Sequence, residues 1–124
     1  MRRISALVLS GLLGLGLVNC GSNSSDLTPQ TACNQAMAAV CNWANKCGGT
    51  AALTAIDPSY TTVAACISGE QAAGCTGTNA ACDTGTTFHA DLANQCISGI
   101  SAMACPTSST SATTEPAVCS QICQ

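Results

Sequence analysis

Apolar and polar positions fall in blocks along this chain. Two arginines, Arg2 and Arg3, lead into a mostly apolar run from Ile4 to Val18, and a small polar stretch, GSNSSDLTPQT, fills 21–31. Beyond it the apolar residues recur at helical spacing. The first such segment spans about 29–47, where Met37, Val40, Ala44 and Cys47 form one stripe at steps of 3, 4 and 3. Ala36, Ala38, Ala39 and Ala44 favour helix, Thr28 can cap its start with Pro29 behind it, and Gly48-Gly49 predict its end. A second helix is expected over about 58–73, with Asp57 as N-cap and Pro58 at its first position. A third is expected over about 87–104, opened by Thr86 or Thr87 and stopped by Pro106. A final turn or two over 115–123 carries Cys119 and Cys123.

Gly69 and Gly99 lie inside the second and third segments, and each weakens a helix by about 1 kcal/mol relative to alanine. Strands are not predicted, because no long alternation of β-branched and polar residues occurs. The expected fold is all-α: a small disulfide-stapled bundle of three to four short helices. A second low-complexity stretch, PTSSTSATTEP at 106–116, reads as a loop, since the cysteines after it tie the chain end back.

Composition explains why staples are needed. From Cys20 onward, Leu, Ile, Val and Phe together number 12, too few to bury the apolar area that offsets conformational entropy. The chain has 11 Cys in 124 residues. Ten of them, Cys33, Cys41, Cys47, Cys66, Cys75, Cys82, Cys96, Cys105, Cys119 and Cys123, follow the polar stretch and read as structural disulfides. Their spacing leaves the pairing open. One exclusion follows from geometry. On one helix, Cys119 and Cys123 stand a turn apart, farther than the roughly 3.5–4.5 Å between bridged Cβ atoms. Each is therefore expected to pair with another segment.

The second and third segments look duplicated. CISGEQAAGC at 66–75 matches CISGISAMAC at 96–105 at 6 of 10 positions.

The start of the chain reads as an export address. A positive n-region and an apolar run of 15 residues, short of the roughly 20 that span a bilayer, make residues 1–19 a signal peptide. Its end, Leu17-Val18-Asn19-Cys20, resembles the lipobox of bacterial lipoproteins, with Asn19 where Gly, Ala or Ser is usual. The resemblance implies that Cys20 becomes the lipidated mature N-terminus, carrying diacylglycerol and an acyl chain such as palmitate. Residues 20–31 are then a lipidated, flexible tether and 32–124 a cysteine-rich helical domain. Gly21, rather than Asp, after the lipidated position implies the outer membrane under the best-known sorting rule. The alternatives are the periplasm or secretion.

Charge and chemistry narrow the function. The formal net charge is −3 and only 7% of residues are charged, which excludes a basic face for nucleic acid. Without residues 1–19, Lys46 stands alone against six acids, Asp26, Asp57, Glu70, Asp83, Asp91 and Glu115, a net −5. The absence of any C-x2-C motif, with His89 the only histidine, argues against zinc, iron–sulfur and haem sites. No metal or other cofactor is expected. His89 and Asp91 sit two apart on a predicted helix and point to different faces, and no G-x-S-x-G or phosphate loop occurs. No catalytic residue is expected. Trp43, in Cys41-Asn-Trp-Ala-Asn-Lys-Cys47, reads as a core plug packed on disulfides.

The lipobox at Leu17 to Cys20, the Cys41-x5-Cys47 spacing and the aromatic-led segments Tyr60 to Cys75 and Phe88 to Cys105 together resemble the small cysteine-rich lipoproteins of myxobacteria and related bacteria. The resemblance implies a place in the bacterial cell envelope and no particular activity. Plant lipid-transfer proteins are also helical and disulfide-rich, but they carry adjacent C-C and C-x-C pairs absent here. The expectation is a non-enzymatic envelope or surface interaction module. It would meet the membrane through its acyl chains and have a protein or an apolar ligand as partner. The alternative is a carrier holding a small hydrophobic ligand in a helical cavity.

Overall fold

The structure, a computed structural model, describes residues 27–107 and 114–124, the side chains of 78 and 79 apart. The expected signal peptide, Cys20 and most of the tether lie outside the described residues, as does the middle of the 106–116 stretch. Three helices form: α1 (Pro29–Ile56), α2 (Val63–Gly74) and α3 (Ala90–Ala102). Among the described residues there are also two 3-10 turns, Gly77–Ala80 and Ala117–Gln121. The fold is a small, disulfide-stapled helical bundle.

Helix α1 starts as its sequence dictates. Thr28 is extended, and its hydroxyl oxygen accepts the Thr31 amide at 3.2 Å, with Pro29 in the first turn. Its predicted end is instead a bend. Gly49 adopts φ 60 and ψ −148, a conformation open almost only to glycine, and helix resumes through Ile56. The residues after the bend, TAALTAI, include good helix formers, and they swing Leu53 into the core at 1% exposure.

The starts of the other helices differ from expectation. Asp57 does not cap α2. Its carboxylate accepts the Ser59 amide at 2.7 Å and the Ser59 hydroxyl at 2.6 Å, closing a separate turn over Pro58. That turn delivers Tyr60 inward, and Thr62 caps the helix by accepting from the Ala65 amide at 3.1 Å. Helix α3 starts at Ala90, after the expected 87, because Phe88 is taken by an antiparallel bridge with Cys123. The His89 amide donates to the Ile122 carbonyl at 2.9 Å, and Thr87 and Gln124 exchange amide-to-carbonyl bonds. A tertiary pairing has overridden a local helix preference.

All ten described cysteines are bridged: Cys33–Cys75, Cys41–Cys66, Cys47–Cys105, Cys82–Cys123 and Cys96–Cys119. Cys119 and Cys123 each pair with another segment, as expected, although the 3-10 turn ends at Gln121 and Cys123 lies beyond it, in the bridge with Phe88. The bridges also set helix direction. Cys33 meets Cys75 and Cys41 meets Cys66, so α2 runs antiparallel to α1. Ala39 packs with Cys96 and Ile100, and Cys47 meets Cys105, so α3 runs parallel to α1.

With a partner on each side, α1 buries more than one stripe. Its buried residues are Ala32, Ala39, Cys41, Ala44 and Leu53, whereas Met37, Val40 and Cys47 of the predicted stripe are half-buried. Two small cores result. One gathers Cys41, Ala44, Leu53, Tyr60 and Cys66, and the other Ala39, Cys96 and Ile100. Each contains a half-cystine at zero to 3% exposure, so the bridges are also packing atoms.

The duplicated motif has matching roles in the two helices. Cys66 and Cys96 are buried half-cystines, and Ile67 and Ile97 pack against separate cores. The glycine three positions on receives a ring in each case. Tyr60 lies against Gly69, and Pro116 lies against Gly99 with Cγ 3.0 Å from where a Cβ would stand. The bare α-carbons that weaken these helices locally are what admit their tertiary partners.

Candidate functional site

An apolar cleft of about 210 Å³ opens at the N-terminal end of α1. The first two turns of α1 supply Pro29, Ala32, Cys33 and Ala36, and α3 supplies Ala93, Cys96 and Ile97. The segment Ala80 to Cys82 forms one edge, and Phe88 with Ile122 and Cys123 forms another. The second edge is the backbone pairing that displaced the start of α3. It is held by the Cys82–Cys123 bridge, and the Cys96–Cys119 bridge fixes α3 to the C-terminal 3-10 turn. No lining residue has an ionisable side chain once its cysteines are bridged. Among the described residues, no buried side-chain nitrogen or oxygen lacks a hydrogen-bond partner.

The residues weighed for other chemistry sit elsewhere in the fold. His89 occupies the capping position of α3, half-buried, and its carbonyl accepts the Ala93 amide at 3.0 Å. Asp91 is exposed in the first turn of α3, where a carboxylate favours the positive helix end. Trp43 is half-buried against the core of Cys41, Leu53, Tyr60 and Cys66, and its indole N–H donates to the Met103 carbonyl at 3.1 Å. Cys96, Glu115 and Cys119 bring potential metal ligands within 4.8 Å of one another. Two of these are the sulfurs of one disulfide, which carry no thiolate and leave Glu115 alone.

Two groups near the first core are electrostatically perturbed. Hydrogen bonds from the Ser59 hydroxyl and amide lower the Asp57 carboxyl below its usual value. Desolvation, then the neighbouring Glu70 carboxylate and the charge of Asp57, raise the Tyr60 phenol above its usual value. Both groups lie away from the cleft and belong to the turn that seats Tyr60.

Sequence reasoning pointed to the ten bridged cysteines but not to the cleft, whose walls come from five separate segments. The signal was indirect: a cysteine-rich chain short of large side chains. No described helix is long and apolar enough to cross a membrane. No protein-family model, no curated protein and no solved structure matches the chain.

Proposed function

We propose that this is an exported, lipid-anchored protein of the bacterial envelope, whose helical domain acts as a non-enzymatic interaction module. The observation that carries this reading is the closed set of bridges. The ten cysteines from Cys33 to Cys123 pair among themselves, so none is left to bridge Cys20. Cys20 follows an export-type apolar run and a lipobox-like ending, where a thiol is the acylation acceptor. Five bridges in so short a domain suit an oxidising compartment outside the cytosol. Dual or triple acylation at Cys20 would hold the domain firmly, since each buried methylene contributes about 0.8 kcal/mol.

Intact mass of the native protein tests this reading directly. The expected species begins at Cys20, carries acyl chains and lacks ten cysteine protons. Cys20→Ala should remove the acyl mass and leave residues 1–19 attached. A native mass without acyl chains, or one beginning at another residue, overturns the assignment.

A second reading, carriage of a small hydrophobic ligand, is favoured by one observation, the uncharged cleft beside α1.

A further inference from the structure

We infer that the cleft between α1, α3 and the C-terminal bridge is a binding site for a single uncharged aromatic ring. The inference rests on the carriage reading and narrows its ligand. Size is the first constraint. An apolar cavity of roughly 150 Å³ takes up benzene, and water occupies roughly 30 Å³ in the liquid. By those two scales the cleft volume of about 210 Å³ holds about seven to eight non-hydrogen atoms, a single ring with a small substituent, such as toluene. A long acyl chain could not be enclosed by it.

Wall chemistry is the second constraint. Four half-cystines, Cys33, Cys82, Cys96 and Cys123, share the wall with Phe88. Polarizable sulfur and a neighbouring ring both favour an aromatic guest over an alkyl one. No lining side chain would meet a charged headgroup, and the domain outside carries one lysine against five acids. An anionic ligand is thus disfavoured inside the cleft and on approach to it.

Rigidity is the third. Unsupported walls tend to close over an apolar void. Here Cys33–Cys75, Cys82–Cys123 and Cys96–Cys119 each tie a wall residue covalently to another segment. The cleft is held open before any ligand arrives, which lowers the ordering cost of binding.

The isoleucines supply the readout. Ile97 and Ile122 line the cleft, whereas Ile56 is exposed and Ile67 packs on the other core. The purified full chain, labelled with carbon-13 at isoleucine δ-methyls and held in phosphatidylcholine nanodiscs, is titrated with toluene. Saturable shifts at Ile97 and Ile122, with Ile56 and Ile67 unmoved, are expected. Ala81→Leu places a larger side chain at the exposed lip and should weaken toluene at least tenfold. Unchanged Ile56 and Ile67 signals would show that this variant is folded, and the wild-type pattern is decisive without it. No saturable shift at Ile97 and Ile122, or equal shifts at all four, overturns the inference. A parallel titration with dodecanoate separates the two ideas. If dodecanoate moves Ile97 and Ile122 and toluene does not, carriage stands and the ring site falls. If neither ligand moves them, both fall.

Discussion

The ring of Tyr60 rests on the bare α-carbon of Gly69, so closely that a Cβ there would lie within the ring's van der Waals envelope. Tyr60 is 8% exposed and cannot swing into solvent without leaving the core it shares with Cys41 and Leu53. Gly69→Ala gains up to about 1 kcal/mol of helix propensity and meets an overpacking cost of about 1–3 kcal/mol. The expected outcome is net destabilisation of about 1–2 kcal/mol by denaturant unfolding with bridges intact. Gly99→Ala meets Pro116 Cγ at 3.0 Å, a less severe approach than the one at Gly69. It should be clearly milder, and equal effects at the two glycines would contradict this account.

Gly49 presents the opposite case, open space with a demanding backbone. A Cβ at position 49 meets nothing within 4 Å, yet φ 60 with ψ −148 is strained for any side chain. Gly49→Ala should therefore destabilise by about 1–3 kcal/mol without any clash. If the helix straightens to relieve the strain, Leu53 leaves its buried site, and the lone tryptophan, Trp43, should report the repacking by fluorescence.

The phenol of Tyr60, the only tyrosine, can be titrated by absorbance without interference from another. Its folded pKa is raised above 10.0 by desolvation and Glu70. A raised folded pKa means that its contribution to stability is complete below 10.0 and lost as the pH climbs through the folded value. An absorbance midpoint above 10.0 in the native protein, returning toward 10.0 in denaturant, is the expected result. Asp57 acts with the opposite sign. Its lowered pKa gives a contribution present above 3.8 and lost as the pH falls through the folded value, a slope that Ser59→Ala should flatten.

Two bridges separate burial from loop length. Cys82–Cys123 spans 41 residues and Cys41–Cys66 spans 25, so chain entropy assigns slightly more stability to the longer loop, about 3–4 kcal/mol in each case. Cys41 and Cys66 are both at 0% exposure in the first core, whereas Cys123 is exposed. Replacing both cysteines by alanine should therefore cost more at 41/66, because lost sulfur leaves a void there. Denaturant midpoints of the two double variants decide the order.

Much of the architecture was legible because it is local. Thr28-Pro29 opens α1, and Ala-rich segments form the helices. What was not legible depends on distant partners. Asp57-Pro58 has the composition of a helix start, but the turn it forms is the one that buries Tyr60 against Gly69. Thr86 and Thr87 read as caps, but residues 87–89 pair with 122–124. Gly48-Gly49 announced a stop, and only packing of Leu53 turns it into a bend. The cleft has no local sequence motif, since Pro29, Ala81, Phe88, Ile97 and Ile122 belong to five different segments.

The bridge topology has a consequence for how the protein meets proteolysis. The loops closed by Cys33–Cys75, Cys47–Cys105 and Cys82–Cys123 overlap end to end. Every peptide bond between residues 33 and 123 lies inside at least one of them. A protease that cuts once anywhere in that span, the Ser/Thr-rich 106–116 stretch included, nicks the protein without releasing a fragment. The damage would be invisible on a non-reducing gel and would appear as two bands after reduction.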